Sequence, residues 1–144
     1  MARKIGILTA AIVVLVLAAS PAIGARGGGK DPVATIAFAA DDGTRIASAN
    51  PKYGDSVWFA VDAAKVKERD LGSLWVMNVC YQDGVPVLRQ DLGVDYLSYR
   101  QGISGAFTLG GSSWVSGDAM CTAFGYVFGE APLPGVSFSY PVSG

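Results

Sequence analysis

The residues that could do chemistry in this chain are few, and the most informative residue type is one that is missing. The sequence has 144 residues, with 12 acidic residues, 2 cysteines and no histidine. Without an imidazole the chain cannot form a histidine metal site, a Ser-His or Cys-His nucleophile pair, or a histidine acid–base group. Its serines and lysines form no Ser-x-x-Lys motif either. We therefore expect a non-enzymatic protein with no catalytic residue and no cofactor.

Paired carboxylates are the remaining possibility for an enzyme or a metal site. Asp41 and Asp42 are adjacent, and Asp91 and Asp95 lie close together in sequence. Calcium needs about six to eight oxygen ligands, and the Asp-x-Asp-x-Asp-Gly spacing of a loop site is absent. No pattern places two of these carboxylates in one desolvated cleft, as glycoside hydrolysis requires. We interpret them as solvated turn residues and expect no metal site, while a small secreted enzyme or an enzyme inhibitor stays open as an alternative.

The two cysteines, Cys80 and Cys121, each lie in the middle of a strongly apolar, β-branched run. Their spacing is not Cys-x-x-Cys, and neither has a basic neighbour that would activate a thiol. In an exported chain such a pair predicts one structural disulfide. Closure of the loop between them predicts about 4 kcal/mol of stabilisation.

An aromatic stripe is the first candidate binding surface. Phe124, Tyr126 and Phe128 alternate along one strand-like run, so they share one face of it. If that face is exposed, it forms a sugar-stacking platform or an interface with another subunit. If it is buried, the rings fill the core, and this is the interpretation that we favour.

A tyrosine-bearing segment is the second candidate surface. Tyr96, Tyr99 and Arg100 lie between two glycines, in the range Gly93–Gly102. We predict a long exposed loop here, within 91–102. Such loops at the end of a β-sandwich are common recognition sites.

The N-terminus has the residue order of a secretory signal peptide. Arg3 and Lys4 precede the apolar run Ile5–Ala19, and small residues follow it. The run is shorter than the roughly 20 residues that span a bilayer. We predict a signal peptide at 1–25 and a secreted, extracellular protein, or a cell-surface protein if the leader is not cleaved.

The charge of the mature chain bears on its partners. Cleavage removes Arg3 and Lys4 from the 11 basic residues and none of the 12 acidic ones, so the net charge becomes −3. With both signs interspersed, we expect no nucleic-acid partner, and no membrane partner once the leader is cleaved.

A flexible Gly-rich spacer at 26–32 and a β domain at 33–144 follow the leader. Short β-rich runs alternate there with turn residues, and no stretch has a helical apolar stripe. Asp83-Gly84 predicts a tight hairpin turn, and the last run predicts a half-buried edge strand. Seven or eight strands of this kind predict an all-β antiparallel sandwich. The expected strands are 33–39, 56–61, 73–81, 85–90, 105–109 with 113–115, 119–128 and 136–142, and 63–70 is expected to be an exposed loop with at most one helical turn.

Three segments resemble strands of secreted bacterial immunoglobulin-like (Ig-like) domains. Tyr53–Phe59 (YGDSVWF) resembles the start of strand B, Trp75–Cys80 (WVMNVC) strand C, and Gly117–Ala123 (GDAMCTA) strand F. The Asp-Ala-x-Cys of the last segment is similar to the Asp-x-Ala-x-Tyr-x-Cys of immunoglobulin domains, with the tyrosine lacking. The resemblance implies an Ig-like β-sandwich with a recognition, adhesion or scaffolding role.

The resemblance also bears on the position of the disulfide. The usual bond of that fold joins strands B and F across the sandwich. Cys80 lies instead on the strand that enters the Asp83-Gly84 turn, which corresponds to strand C. The resemblance therefore implies a bond between strands C and F, which are neighbours in one sheet.

These observations favour a secreted or cell-surface binding module that contacts an extracellular protein or glycan without catalysis. A structural subunit that self-associates through its edge strands into a surface layer or filament is the alternative.

Overall fold

The computed structural model describes residues 31–144, so the predicted signal peptide at 1–25 and most of the predicted spacer lie outside the described residues. Among residues 31–144, no helix is long and apolar enough to cross a membrane. The predicted all-β class is confirmed. The elements are β1 (Thr35–Ala39), β2 (Ser56–Asp62), a 3₁₀ helix (Glu68–Ser73), β3 (Leu74–Gln82), β4 (Val85–Ser98), β5 (Gln101–Ser104), β6 (Phe107–Thr108), β7 (Ala119–Val127) and β8 (Pro132–Val142).

The eight strands form one antiparallel sheet in the order β1-β2-β5-β4-β3-β7-β8, and β6 pairs with β2 beside this path. Strand β4 is long because its first part pairs with β3, up to Gly93, and its second part pairs with β5, from Val94 onward. The two ends of the sheet approach each other, since the Phe38 ring of β1 lies 4.8 Å from the Tyr140 ring of β8 between centroids. The sheet is therefore nearly barrel-shaped.

The predicted hairpin and edge strand are both confirmed. Asp83 and Gly84 have φ values of 48° and 79°, and positive φ at both central residues is what a type I′ turn requires. Strand β8 pairs with β7 alone within the sheet order, although it begins at Pro132, four residues before the predicted start.

The predicted loop at 91–102 is wrong. Its first part continues β4 to Ser98, β5 begins at Gln101, and only Tyr99 and Arg100 form the connection. A side chain at Gly102 would clash with Val94 on the neighbouring strand, so this glycine permits close cross-strand packing rather than a loop.

The weak strand predicted at 113–115 is also wrong. Strand β6 covers only Phe107–Thr108, and the residues after it form a loop. Trp114 anchors that loop because its side chain is fully buried and its indole Nε1–H donates to the Gly117 carbonyl at 3.1 Å. The segment predicted as a loop at 63–70 is irregular up to Lys67, and the 3₁₀ helix then begins at Glu68. Its predicted exposure is wrong at Ala63 and Val66, which are buried in the core.

The core lies between the two ends of the curved sheet and is filled by rings from several elements. Fully buried aromatic side chains come from β2, β6 and the loop after β6, namely Phe59, Phe107 and Trp114. The inner face of β7 presents small residues to this core, and Gly125 shows why. A Cβ at this position would lie 2.6 Å from Val136 Cγ1 and 3.4 Å from Ile36 Cδ1. The close neighbours of this face at Gly125 are therefore the side chains of Val136 and Ile36.

The predicted disulfide between Cys80 and Cys121 is confirmed. The two residues are direct cross-strand partners on β3 and β7, with their Cα atoms 4.0 Å apart. Both are fully buried. As expected, the bond joins neighbouring strands of one sheet.

Two polar side chains are buried in the same interior. The Ser104 hydroxyl accepts a hydrogen bond from the Phe59 backbone N–H at 3.0 Å and donates to the Gly105 carbonyl at 2.9 Å. The Tyr140 hydroxyl donates to Asn78 Oδ1 at 3.1 Å, and burial raises the pKa of Tyr140 far above its ordinary value. The bond from Phe59 joins β2 to its neighbour β5, and the bond from Tyr140 joins β8 to β3, so each group gains a partner that its burial requires. Among these groups of the described residues, Asn78 Nδ2 is the exception, because it is buried with no hydrogen-bond partner within residues 31–144.

Candidate functional site

The outer face of β3 and β7 carries a continuous set of large apolar side chains. The register places Trp75 beside Tyr126, Met77 beside Phe124, and Tyr81 beside Met120. Residues two apart on a strand point to the same side, so all of them share one surface. We call this surface the aromatic face; its members are Trp75, Met77, Val79 and Tyr81 of β3, Met120, Thr122, Phe124 and Tyr126 of β7, and Phe128 directly after β7.

The predicted aromatic stripe is therefore on the outside. Phe128 is 65% exposed, while Phe124 and Tyr126 are half-buried against their neighbours. The Phe128 ring packs against the Trp75 ring, with 5.3 Å between centroids. Our preferred interpretation, that the stripe fills the core, is wrong because other strands fill the core with their own rings and leave room for only small residues of β7.

Polar residues flank the aromatic face on both sides. On the β4 side, Arg89 lies opposite Val79, and Asp91 lies opposite Met77. On the β8 side, the Ser139 hydroxyl is 2.8 Å from the Thr122 hydroxyl. The face runs over eight residue steps from Met120 to Phe128 and, with its borders, over three strand spacings from β4 to β8, so it measures about 27 Å by 14 Å.

A hydrogen-bonded triad fixes one edge of this face. The Tyr126 hydroxyl donates to Asp91 Oδ1 at 2.8 Å, and Arg89 Nε donates to Asp91 Oδ2 at 3.1 Å. Burial, assisted by the bond to Asp91, raises the pKa of Tyr126, so the phenol stays protonated at neutral pH. The bond and charge of Asp91 also raise the pKa of Arg89. Asp91 therefore orients the neutral Tyr126 ring and the Arg89 guanidinium at the same edge of the aromatic face.

A cleft of about 250 Å³ opens beside this triad, lined by Met77, Arg89, Tyr126, Glu130 and Pro132. Glu130 lies in the connection between β7 and β8 and is exposed. Among the described residues, neither its carboxylate nor the two terminal nitrogens of Arg89 has a hydrogen-bond partner. The cleft thus combines an apolar lining with unused donors and acceptors.

The three predicted loop residues do not form a free surface of their own. The Tyr96 hydroxyl donates to the Leu71 carbonyl at 2.9 Å, and this side chain packs against the core. Burial raises the pKa of Tyr96.

Arg100 is likewise committed to internal contacts. Its Nη1 donates to the Ala63 carbonyl at 3.0 Å and to the Val66 carbonyl at 2.6 Å. Tyr99 alone is exposed, at 68%, with the Arg100 guanidinium 4.8 Å from its ring centroid. Tyr96, Tyr99 and Arg100 thus lie on the β4–β5 hairpin, whereas the predicted aromatic stripe lies on β7 and directly after it.

Of the predicted turn carboxylates, Asp41 and Asp42 lie in a turn, and Asp42 Oδ1 accepts the Thr44 backbone N–H at 2.8 Å. That interpretation is wrong for Asp91 and Asp95, which belong to β4. Asp91 is half-buried because its two bonds to the aromatic face hold it against the sheet. Within residues 31–144, no three acidic or cysteine side chains gather where they could hold a metal ion.

Sequence reasoning did not single out Arg89, Met77 or Glu130. The signal that could have identified these residues was the register of the strands opposite the stripe. The hairpin turn alone does not determine this register. Comparison of the chain with protein-family models and with curated proteins finds no match. The functional argument therefore rests on the geometry of the aromatic face.

Proposed function

We propose that this chain is a non-enzymatic domain of the extracellular space or cell surface that recognises a protein or a glycan through its aromatic face. The observation that carries the proposal is one outer face with exposed large apolar side chains at both ends, Phe128 at 65% and Met120 at 53%, and mostly half-buried rings between them. Contiguous exposed apolar surface with a polar border is typical of binding sites, because it costs solubility when nothing covers it.

The strand order supports an Ig-like sandwich as the scaffold. Strands β1, β2 and β5 with the second part of β4 match one layer of that fold in order, A-B-E-D. The first part of β4 with β3, β7 and β8 matches the other layer, C′-C-F-G. In this assignment β4 passes from one layer to the other, and the aromatic face is the outer surface of the second layer.

An extracellular location is supported by two features. The sequence begins with a basic, apolar and then small-residue pattern of a signal peptide. The buried disulfide between Cys80 and Cys121 suits an oxidising compartment, where such bonds form and persist.

The dimensions of the face favour recognition of another molecule over assembly of a structural subunit. A footprint of about 400 Å² is about half of the roughly 800 Å² that each partner buries in a stable protein interface, which suits a glycan or a transient protein contact better than a permanent assembly. The edge strand β8 also carries Pro132, Pro134 and Pro141, which have no N–H to offer to a further strand. Both features weigh against an extended self-assembly.

Replacement of Phe128 by serine is expected to abolish ligand binding without unfolding the domain. The side chain is mostly exposed, so little buried surface is lost, whereas a ligand on the aromatic face loses its contact with this ring. Binding of the exported chain to arrayed glycans and to immobilised extracellular proteins measures the effect.

Val115→Ser is the matched control, because Val115 is 74% exposed and lies in the loop before β7, outside the aromatic face. The proposal requires that this variant keeps the binding of the wild type. Equal binding by Phe128→Ser and wild type, or no binding of the wild type to any arrayed molecule, would refute it.

A further inference from the structure

The cleft beside the Asp91 triad has the mixed chemistry of a sugar subsite. Tyr126, Met77 and Pro132 provide apolar surface, while Arg89 and Glu130 provide hydrogen-bonding groups. We propose that this cleft binds one neutral pyranose residue of a glycan. The proposal rests on the recognition function and narrows its ligand class from protein or glycan to glycan.

The Tyr126 ring is held ready for stacking. Its hydroxyl is tied to Asp91 Oδ1 at 2.8 Å, so the ring has a fixed direction before any ligand arrives. A pyranose presents a flat face of C–H groups, which packs on an aromatic ring and on the neighbouring apolar side chains. Because the ring is already ordered, little conformational entropy is lost when the sugar binds.

The hydrogen-bonding groups of the cleft match hydroxyl groups. Arg89 uses Nε for Asp91, and its two terminal nitrogens are left as donors only. The Glu130 carboxylate is an acceptor only. A hydroxyl group both donates and accepts, so a ring with several hydroxyls satisfies the guanidinium and the carboxylate together.

The charges of the cleft favour a neutral ligand. An anion at this place would face the carboxylate of Glu130, and a cation would face the Arg89 guanidinium. A sugar is repelled by neither group. The volume of about 250 Å³ also suits one small ring rather than a larger ligand, whose pockets begin at roughly 300 Å³.

Titration of the ¹⁵N-labelled domain, followed by NMR, tests the subsite. The probes are cellohexaose, maltohexaose and hexa-N-acetylchitohexaose, with lysine methyl ester and acetate as charged small molecules. We expect saturable shifts at the backbone amides of Met77, Arg89, Tyr126 and Glu130 with at least one oligosaccharide. Glu130→Gln is expected to raise the dissociation constant about tenfold, because it replaces a charged acceptor by a weaker neutral amide.

Glu68→Gln is the matched control, because Glu68 is an exposed acid in the 3₁₀ helix. The dissociation constant of this variant for the oligosaccharide should equal that of the wild type. The sugar subsite would be overturned if none of the oligosaccharides caused shifts or if the shifts lay only outside the cleft. Tighter binding of either charged molecule than of the oligosaccharides would also overturn it. If array binding still depends on Phe128 in that case, the recognition function stands and only its sugar class fails. If the array shows no binding either, both proposals fail.

Discussion

Replacement of both cysteines, Cys80→Ala with Cys121→Ala, is expected to lower the free energy of unfolding by about 4 kcal/mol. The disulfide joins residues that are 41 positions apart, so it removes much of the conformational freedom of the unfolded chain. Small domains have total stabilities of about 5 to 15 kcal/mol, and the loss is therefore a large fraction of the total. Urea unfolding of the variant and of the oxidised wild type measures the difference.

Chemical reduction of the wild type separates the contribution of the disulfide bond to stability from that of the two cysteine side chains. Both cysteines are fully buried, so reduction is carried out in denaturant and the chain is then refolded with the reductant still present. The reduced chain keeps both cysteine side chains, so its loss of stability should be that of the bond alone and no larger than the loss in the double alanine variant. A double variant within about 1 kcal/mol of the oxidised wild type contradicts the proposed contribution.

Replacement of Phe59 by alanine is expected to cost about 3 to 5 kcal/mol of stability. The Phe59 side chain is fully buried, and its ring centroid lies 5.4 Å from that of Phe107 and 5.7 Å from that of Phe38. Truncation removes these contacts and leaves a cavity that the surrounding strands cannot close. Thermal and urea unfolding give the magnitude.

The same substitution on the outer face supplies the comparison. Phe128→Ala removes an equal number of atoms, but this ring is 65% exposed and contacts chiefly Trp75. We expect a loss below about 1 kcal/mol for this variant. Similar losses for the two variants would show that the stripe belongs to the core and would contradict the assigned sides of β7.

Alternation along β7 predicted its two faces correctly but not which of them lies inside. One face carries small residues and the other carries rings, and either can be buried if the remaining strands supply a complementary surface. The outcome depends on Phe38, Phe59, Phe107 and Trp114, which come from separate parts of the chain and fill the core together. Local periodicity contains no information about such distant partners, so the hydrophobicity of the rings alone was misleading.

The position of Asp91 shows a second limit of local reasoning. The Asp83-Gly84 turn predicts a register in which Gln82 faces Val85, and this pairing occurs. An irregularity between Cys80 and Tyr81 then shifts the register by one residue, and Asp91 comes opposite Met77. Without that shift Asp91 would lie on the inner face.

The disulfide could be predicted because the chain offers only one pairing. Two cysteines in a chain with a predicted signal peptide leave no alternative partner, and each lies in a strongly predicted strand. The glycines are harder to interpret, since the sequence predicts Gly93 and Gly102 as the ends of a loop although both lie within strands. A glycine that allows close packing and a glycine that ends a strand look the same in sequence.

The aromatic face is expected to be free in solution to meet a different molecule. Light scattering during size-exclusion chromatography, over a hundredfold range of concentration, tests this expectation. We expect the mass of one mature chain at every concentration. A dimer or larger assembly that Phe128→Ser converts to a monomer would contradict it, because the face would then be an interface between copies of this chain.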